Sequence, residues 1–235
     1  MRCFSFKEIV MTKRKQATVM MLLVLLCCGI MAWVDGILSL PYAIKSAIKV
    51  ILFLTVPLLF SRFGTALDFR SLFRANRQGM KLALGLAIPL YLLILGAYFL
   101  LKDVFDFSQV TTALTGNIGV NKDNFVFVAL YIAFVNSLLE EFFFRGFAYL
   151  SLARVLPEKT ASLFSAAVFA LYHVAIMRGW FSVWVFVIAM VGLLAGGLIF
   201  NALNARHKSI YPSWFVHASA NFAINTIGFI LFGIL

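Results

Sequence analysis

Acidic residues are scarce in this sequence. Nine Asp and Glu stand against 20 Lys and Arg, a formal charge of +11. No basic tract with interleaved aromatics on a soluble element accompanies that charge, so nucleic acid is not the expected partner. Cysteine is as sparse: Cys3 lies near the terminus and Cys27 and Cys28 are adjacent inside an apolar run. That leaves neither a disulfide frame nor metal-ligand spacing. No stretch between the apolar runs is long enough for a soluble domain. No small-x-small cleavage site follows Lys13-Arg14-Lys15 and the apolar run after it, so this segment reads as an uncleaved signal anchor.

What the chain has in abundance is apolar surface. It is 63% hydrophobic with 26 Phe and a mean hydropathy of +0.99, against roughly 45–50% apolar in ordinary soluble domains. Apolar runs at about 17–34, 42–60, 82–101, 124–144, 161–177, 181–201 and 210–234 are each long enough to cross about 30 Å of hydrocarbon as a helix. The expected fold is all-α: a polytopic transmembrane bundle of seven to eight helices around an intramembrane polar cavity. It forms a single membrane domain over 1–235 with a basic N-terminal segment at 1–16. With the N-terminus cytoplasmic, only Lys45, Lys49, Lys102, Lys122 and Arg178 fall on the outer side, as the positive-inside bias requires. The connection 102–123 reads as a solvated loop, and 147–157 as a short interfacial helix.

Against this background the polar residues inside the spans stand out. Glu140 and Glu141 are adjacent and followed by Arg145, while a charge at mid-bilayer costs about 2.5–3.5 kcal/mol on insertion scales. The spacing pairs Glu141 with Arg145 and leaves Glu140 for chemistry, with Asn136 one turn before it. Ser165, Phe169 and His173 recur every four residues in the fifth span, and Ser213, His217, Asn221 and Asn225 do so in the seventh. Each group alone is compatible with helix-end charge or interhelical packing, but together they satisfy one another best around a shared site. No Ser, Cys or Thr nucleophile with a paired base is evident, so water is the expected nucleophile. His207, between Arg206 and Lys208, reads as a cytoplasmic loop residue.

Glu140-Glu141-x-x-x-Arg145, Phe169-x-x-x-His173 and His217-x-x-x-Asn221, in this order on successive apolar helices, resemble the three motifs of the CPBP family. These are the CAAX proteases and bacteriocin-processing enzymes, also called the Abi family, with the type II CAAX prenyl endopeptidases among them. The resemblance concerns about 124–235. It implies an intramembrane endopeptidase in which Glu140 activates water, His173 orients it, and His217 with Asn221 stabilises the oxyanion, supported by Glu141 and Arg145. No cofactor is favoured; the alternative is zinc on Glu140, His173 and His217, although the chain lacks His-Glu-x-x-His and Asn is a poor zinc ligand. The implied substrate is a membrane-embedded or lipid-associated peptide or protein, in a multi-pass protein of a bacterial cell membrane. The competing classes are a non-enzymatic immunity protein and, against the clustering of polar residues toward one side, a transporter.

Overall fold

The computed structural model describes residues 11–38, 40–63, 67–177 and 179–235; Arg2, Cys3, Lys7 and Arg178 lie outside them. The described residues form helices without strands: α1 (Lys13–Gly36), α2 (Tyr42–Phe60), α3 (Phe69–Leu72), α4 (Arg77–Leu101), α5 (Ser108–Ile118), α6 (Phe125–Arg154), α7 (Glu158–Met177), α8 (Val183–His207) and α9 (Tyr211–Leu231). All but α3 and α5 are long and apolar enough to cross a membrane. The chain is therefore an integral multi-pass membrane protein.

Local chemistry sets several helix ends. Thr12 accepts from the Lys15 amide at the start of α1, and Asn76 accepts from the Gly79 amide at the start of α4, each satisfying an otherwise unpaired N–H. Lys208, at φ 51°, ends α8 in the left-handed region. The connection 102–123 is not wholly a loop. Asp106 accepts from the Ser108 amide at 2.8 Å and thereby starts α5. That hydrogen bond holds the Asp106 carboxyl below the usual carboxylate range. Gly119, at φ 70°, stops α5.

The segment 147–157 also departs from expectation. It does not lie at the interface as a separate helix; α6 continues through it to Arg154. The reason is burial: Phe147, Ala148, Tyr149 and Leu152 belong to the core, where the Phe147 and Phe60 rings meet edge-on at 5.6 Å. His207 is likewise the last residue of α8, not a loop residue, and its ring packs over Gly79.

α6 runs through the centre of the molecule. Its 131–136 and 141–151 segments are π-helical, a widened geometry that recurs at functional sites. Phe143 stacks on Phe53 of α2 with ring centres 3.9 Å apart, and Phe144 meets Phe169 of α7 edge-on at 5.3 Å. Such aromatic pairs favour offset or edge contacts beyond simple area burial. On the other flank α9 packs along α4, where Ser219 donates to the Ala87 carbonyl and Tyr91 pairs with Thr226.

Close approach fixes two further helix pairs. A Cβ on Gly197 of α8 would lie 3.1 Å from the Ala166 backbone of α7, and one on Gly228 of α9 would overlap the Phe125 ring of α6. Small residues at helix crossings of this kind let backbones meet. Phe125 is itself packed against Phe229 and Phe232, so its ring has little room to retreat. Gly228→Ala is expected to destabilise the bundle by about 1–3 kcal/mol. The thermal midpoint of the purified variant in detergent checks this, against Gly192→Ala, where nothing lies within 4 Å of an added Cβ.

Candidate active site

The long α6 removes a depth mismatch that a helix ending near residue 144 creates. Glu140 lies 14 residues before Arg154 and His173 lies 15 residues after Glu158. At about 1.5 Å per residue both sit roughly 20 Å from those ends. At the start of α9 the Ile210 amide bonds the Leu72 carbonyl, and His217 Nε2 comes within 3.8 Å of Glu140 Oε2. His217 therefore reaches the same level within two turns.

The two adjacent carboxylates have separate surroundings. Glu141 is fully buried. One of its oxygens faces His217 Nδ1 at 2.9 Å. The other accepts from the Ser213 hydroxyl and lies 3.5 Å from Arg145 Nε. Ser213 in turn accepts from Asn204 Nδ2 at 2.7 Å, so α6, α8 and α9 are joined through one carboxylate. Arg145 is also fully buried, and its guanidinium nitrogens make no hydrogen bond among the described residues. Its charge is held by Glu141 and by the faces of Phe169 at 4.0 Å and Phe200 at 5.0 Å, a desolvated cation–π arrangement.

Glu140, 2% exposed, is arranged differently. Its Oε1 accepts from Asn136 Nδ2 at 3.0 Å and from Lys49 Nζ at 3.2 Å. Its Oε2 faces His173 Nε2 at 4.0 Å and His217 Nε2 at 3.8 Å. These two separations are too long for direct hydrogen bonds and match the span of one small bridging group.

The tautomers follow from the partners. His173 Nδ1 lies 2.7 Å from the Phe169 carbonyl of its own helix, which only accepts, so that nitrogen carries the proton. His217 Nδ1 donates to Glu141 by the same logic. In the neutral rings both Nε2 atoms then present lone pairs toward Glu140 Oε2. Among the described residues these three acceptors converge with no donor between them, and the two hydrogens of one water molecule satisfy two of the three.

Of the residues singled out in the sequence, Glu140, His173 and His217 come together, and Glu141 and Arg145 stand directly behind them. Asn221 lies one turn beyond His217 and donates to the Ile132 carbonyl of α6 at 3.2 Å. Asn225 donates to the Ala129 carbonyl and Ser165 to the Phe144 carbonyl, so both join helices. Among the described residues, no group of three or more His, Cys, Asp or Glu is arranged to hold a metal ion.

Lys49 is the residue that the sequence reading misplaced. It falls among the outer cations by the charge bias, yet its half-buried ammonium bonds Asn136 and Glu140. The available signal was its position in α2: Lys45 and Lys49 lie four apart inside an apolar span, the same anomaly that drew attention to Glu140.

Beside this cluster runs an apolar groove of about 610 Å³ between α2, α6 and α9, lined by Val50, Leu54, Phe134, Leu138, Phe142 and Trp214. Its walls include the chain neighbours of Lys49 and Glu140.

Residues 122–223 match the family model described as type II CAAX prenyl endopeptidase Rce1-like. The match spans α6 to α9 as far as Ala223 and contains all three motifs. No curated protein and no solved structure matches the chain.

Proposed function

Since residues 122–223 match the Rce1-like model of type II CAAX prenyl endopeptidases, we propose that this chain hydrolyses a peptide bond within the membrane, using a water activated by Glu140. The observation that carries the reading is the convergence of Glu140 Oε2 with the two imidazole Nε2 atoms at 3.8–4.0 Å. A water held there gives one proton to Glu140 as its oxygen attacks the scissile carbonyl, while its other O–H, retained on that oxygen, donates a hydrogen bond to His173 Nε2, which orients it. The carbonyl oxygen becomes an oxyanion. When the C–N bond breaks, Glu140 returns the proton to the leaving amine, so the carboxylate is regenerated with each turnover.

His217 and Asn221 are the candidate oxyanion donors. His217 commits Nδ1 to Glu141, so it assists through Nε2 only while that nitrogen carries a proton. Asn221 has one amide hydrogen on Ile132 and retains the second. The apolar groove beside Leu139 suits the apolar segment or lipid of a membrane-associated substrate.

Zinc fits the donor set poorly. Ligands of one tetrahedral zinc at about 2.0–2.1 Å lie closer together than these three groups. Glu140 also already faces an ammonium at 3.2 Å, and a dication on the same carboxylate adds repulsion. The test uses purified protein in phospholipid vesicles with a farnesylated C-terminal peptide and its unprenylated counterpart, assayed with and without a strong chelator. Cleavage that survives chelation is expected. Loss on chelation with recovery on added zinc contradicts the metal-free mechanism, and failure to cleave either peptide narrows the substrate to other membrane peptides.

A further inference from the structure

We propose that Lys49 of α2, outside the segment that matches the family, is a positioning residue of this centre: it holds Glu140 Oε1 so that Oε2 remains toward the two imidazoles. The inference rests on the reading of Glu140 as the group that takes the proton from water. Lys49 Nζ lies 2.8 Å from Asn136 Oδ1 and 3.2 Å from Glu140 Oε1, and Asn136 Nδ2 reaches the same Oε1 at 3.0 Å. The three groups close a triangle in which two donors converge on one carboxylate oxygen. Among the described residues no donor bonds the other oxygen.

That asymmetry matters because the terminal torsion of a Glu side chain is broad and roughly two-fold. Without the triangle the two oxygens exchange places freely. With it, one oxygen is occupied and the other is aimed. The ammonium sits 5.1 Å from the centre of the Tyr172 ring, which bounds it on the side of α7. Lys45 is not an alternative donor, because it lies 3.9 Å from Asp35 Oδ1 and donates to the Asp35 carbonyl at 3.3 Å. An amide at position 136 alone supplies orientation without charge. Lys49 supplies both, from a helix that the family match does not reach.

The test compares wild type, Lys49→Met, Lys49→Arg and Glu140→Gln as full-length protein in phospholipid vesicles, using a farnesylated C-terminal peptide as probe. Lys49→Met is expected to lower kcat about 10–100-fold, a fraction of the roughly 10²–10⁴-fold that a positioned base contributes. KM stays within about twofold. Lys49→Arg, which restores a cation with donors, recovers kcat to within about fivefold of wild type. A kcat for Lys49→Met within twofold of wild type overturns the proposal, as does a loss confined to KM or one that arginine leaves unrepaired. If Lys49→Met does not fold, Lys49→Gln takes its place, judged by the same kcat criterion. Glu140→Gln separates the two layers: an active Glu140→Gln removes the reading of Glu140 itself, whereas an inactive Glu140→Gln beside a normal Lys49→Met removes only the role of Lys49.

Discussion

Glu140→Gln is expected to lower peptide hydrolysis by about 10²–10⁴-fold, the usual contribution of a positioned general base, while the protein stays folded. The amide is isosteric with the carboxylate, and its oxygen still accepts from Lys49 and Asn136, which hold Oε1 at 3.2 and 3.0 Å. What it lacks is basicity at the atom facing His173 and His217. A drop in kcat at unchanged thermal midpoint is the predicted pattern, measured on the same vesicle preparation. Loss of activity together with loss of folding points instead to a structural role for the carboxylate.

Glu141→Ala is expected to act through stability. It strips the carboxylate from Arg145, which is fully buried and makes no other ion pair or hydrogen bond among the described residues. It also leaves His217 Nδ1 without its acceptor and Ser213 with only the Ile210 carbonyl. Breaking a buried ion pair on one side typically costs about 3–5 kcal/mol, which for a chain of this size corresponds to roughly 6–20 °C in thermal midpoint. The double variant Glu141→Leu with Arg145→Leu removes both charges and is expected to recover part of that loss. A midpoint for Glu141→Ala within about 2 °C of wild type contradicts the role assigned to this pair.

The number of spans and the polar residues within them were legible in the sequence for physical reasons. Spans of apolar residues announce themselves when they must satisfy every backbone group internally. The few ionisable groups within them stand out because burying them is costly. The partition between Glu140 and Glu141 was also legible, since Arg145 follows Glu141 by four residues and meets it at 3.5 Å.

Three features were not legible. The course of α6 beyond residue 144 depends on tertiary burial of Phe147, Tyr149 and Leu152, which an isolated window of sequence cannot distinguish from an interfacial helix. The π-helical stretches of α6 carry no hydropathy signal that separates them from α-helix. Lys49 was misread because the positive-inside bias describes cations at helix ends, and it ceases to apply to one paired with a buried carboxylate.

The most direct test is hydrolysis in water enriched with oxygen-18, with the products read by mass spectrometry for wild type and Glu140→Gln on the same farnesylated peptide. Water attack aided by Glu140 predicts one labelled oxygen in the new C-terminal carboxyl of the wild-type product, and labelled product reduced at least about 100-fold for Glu140→Gln. Labelled product formed by Glu140→Gln at the wild-type rate would contradict the mechanism.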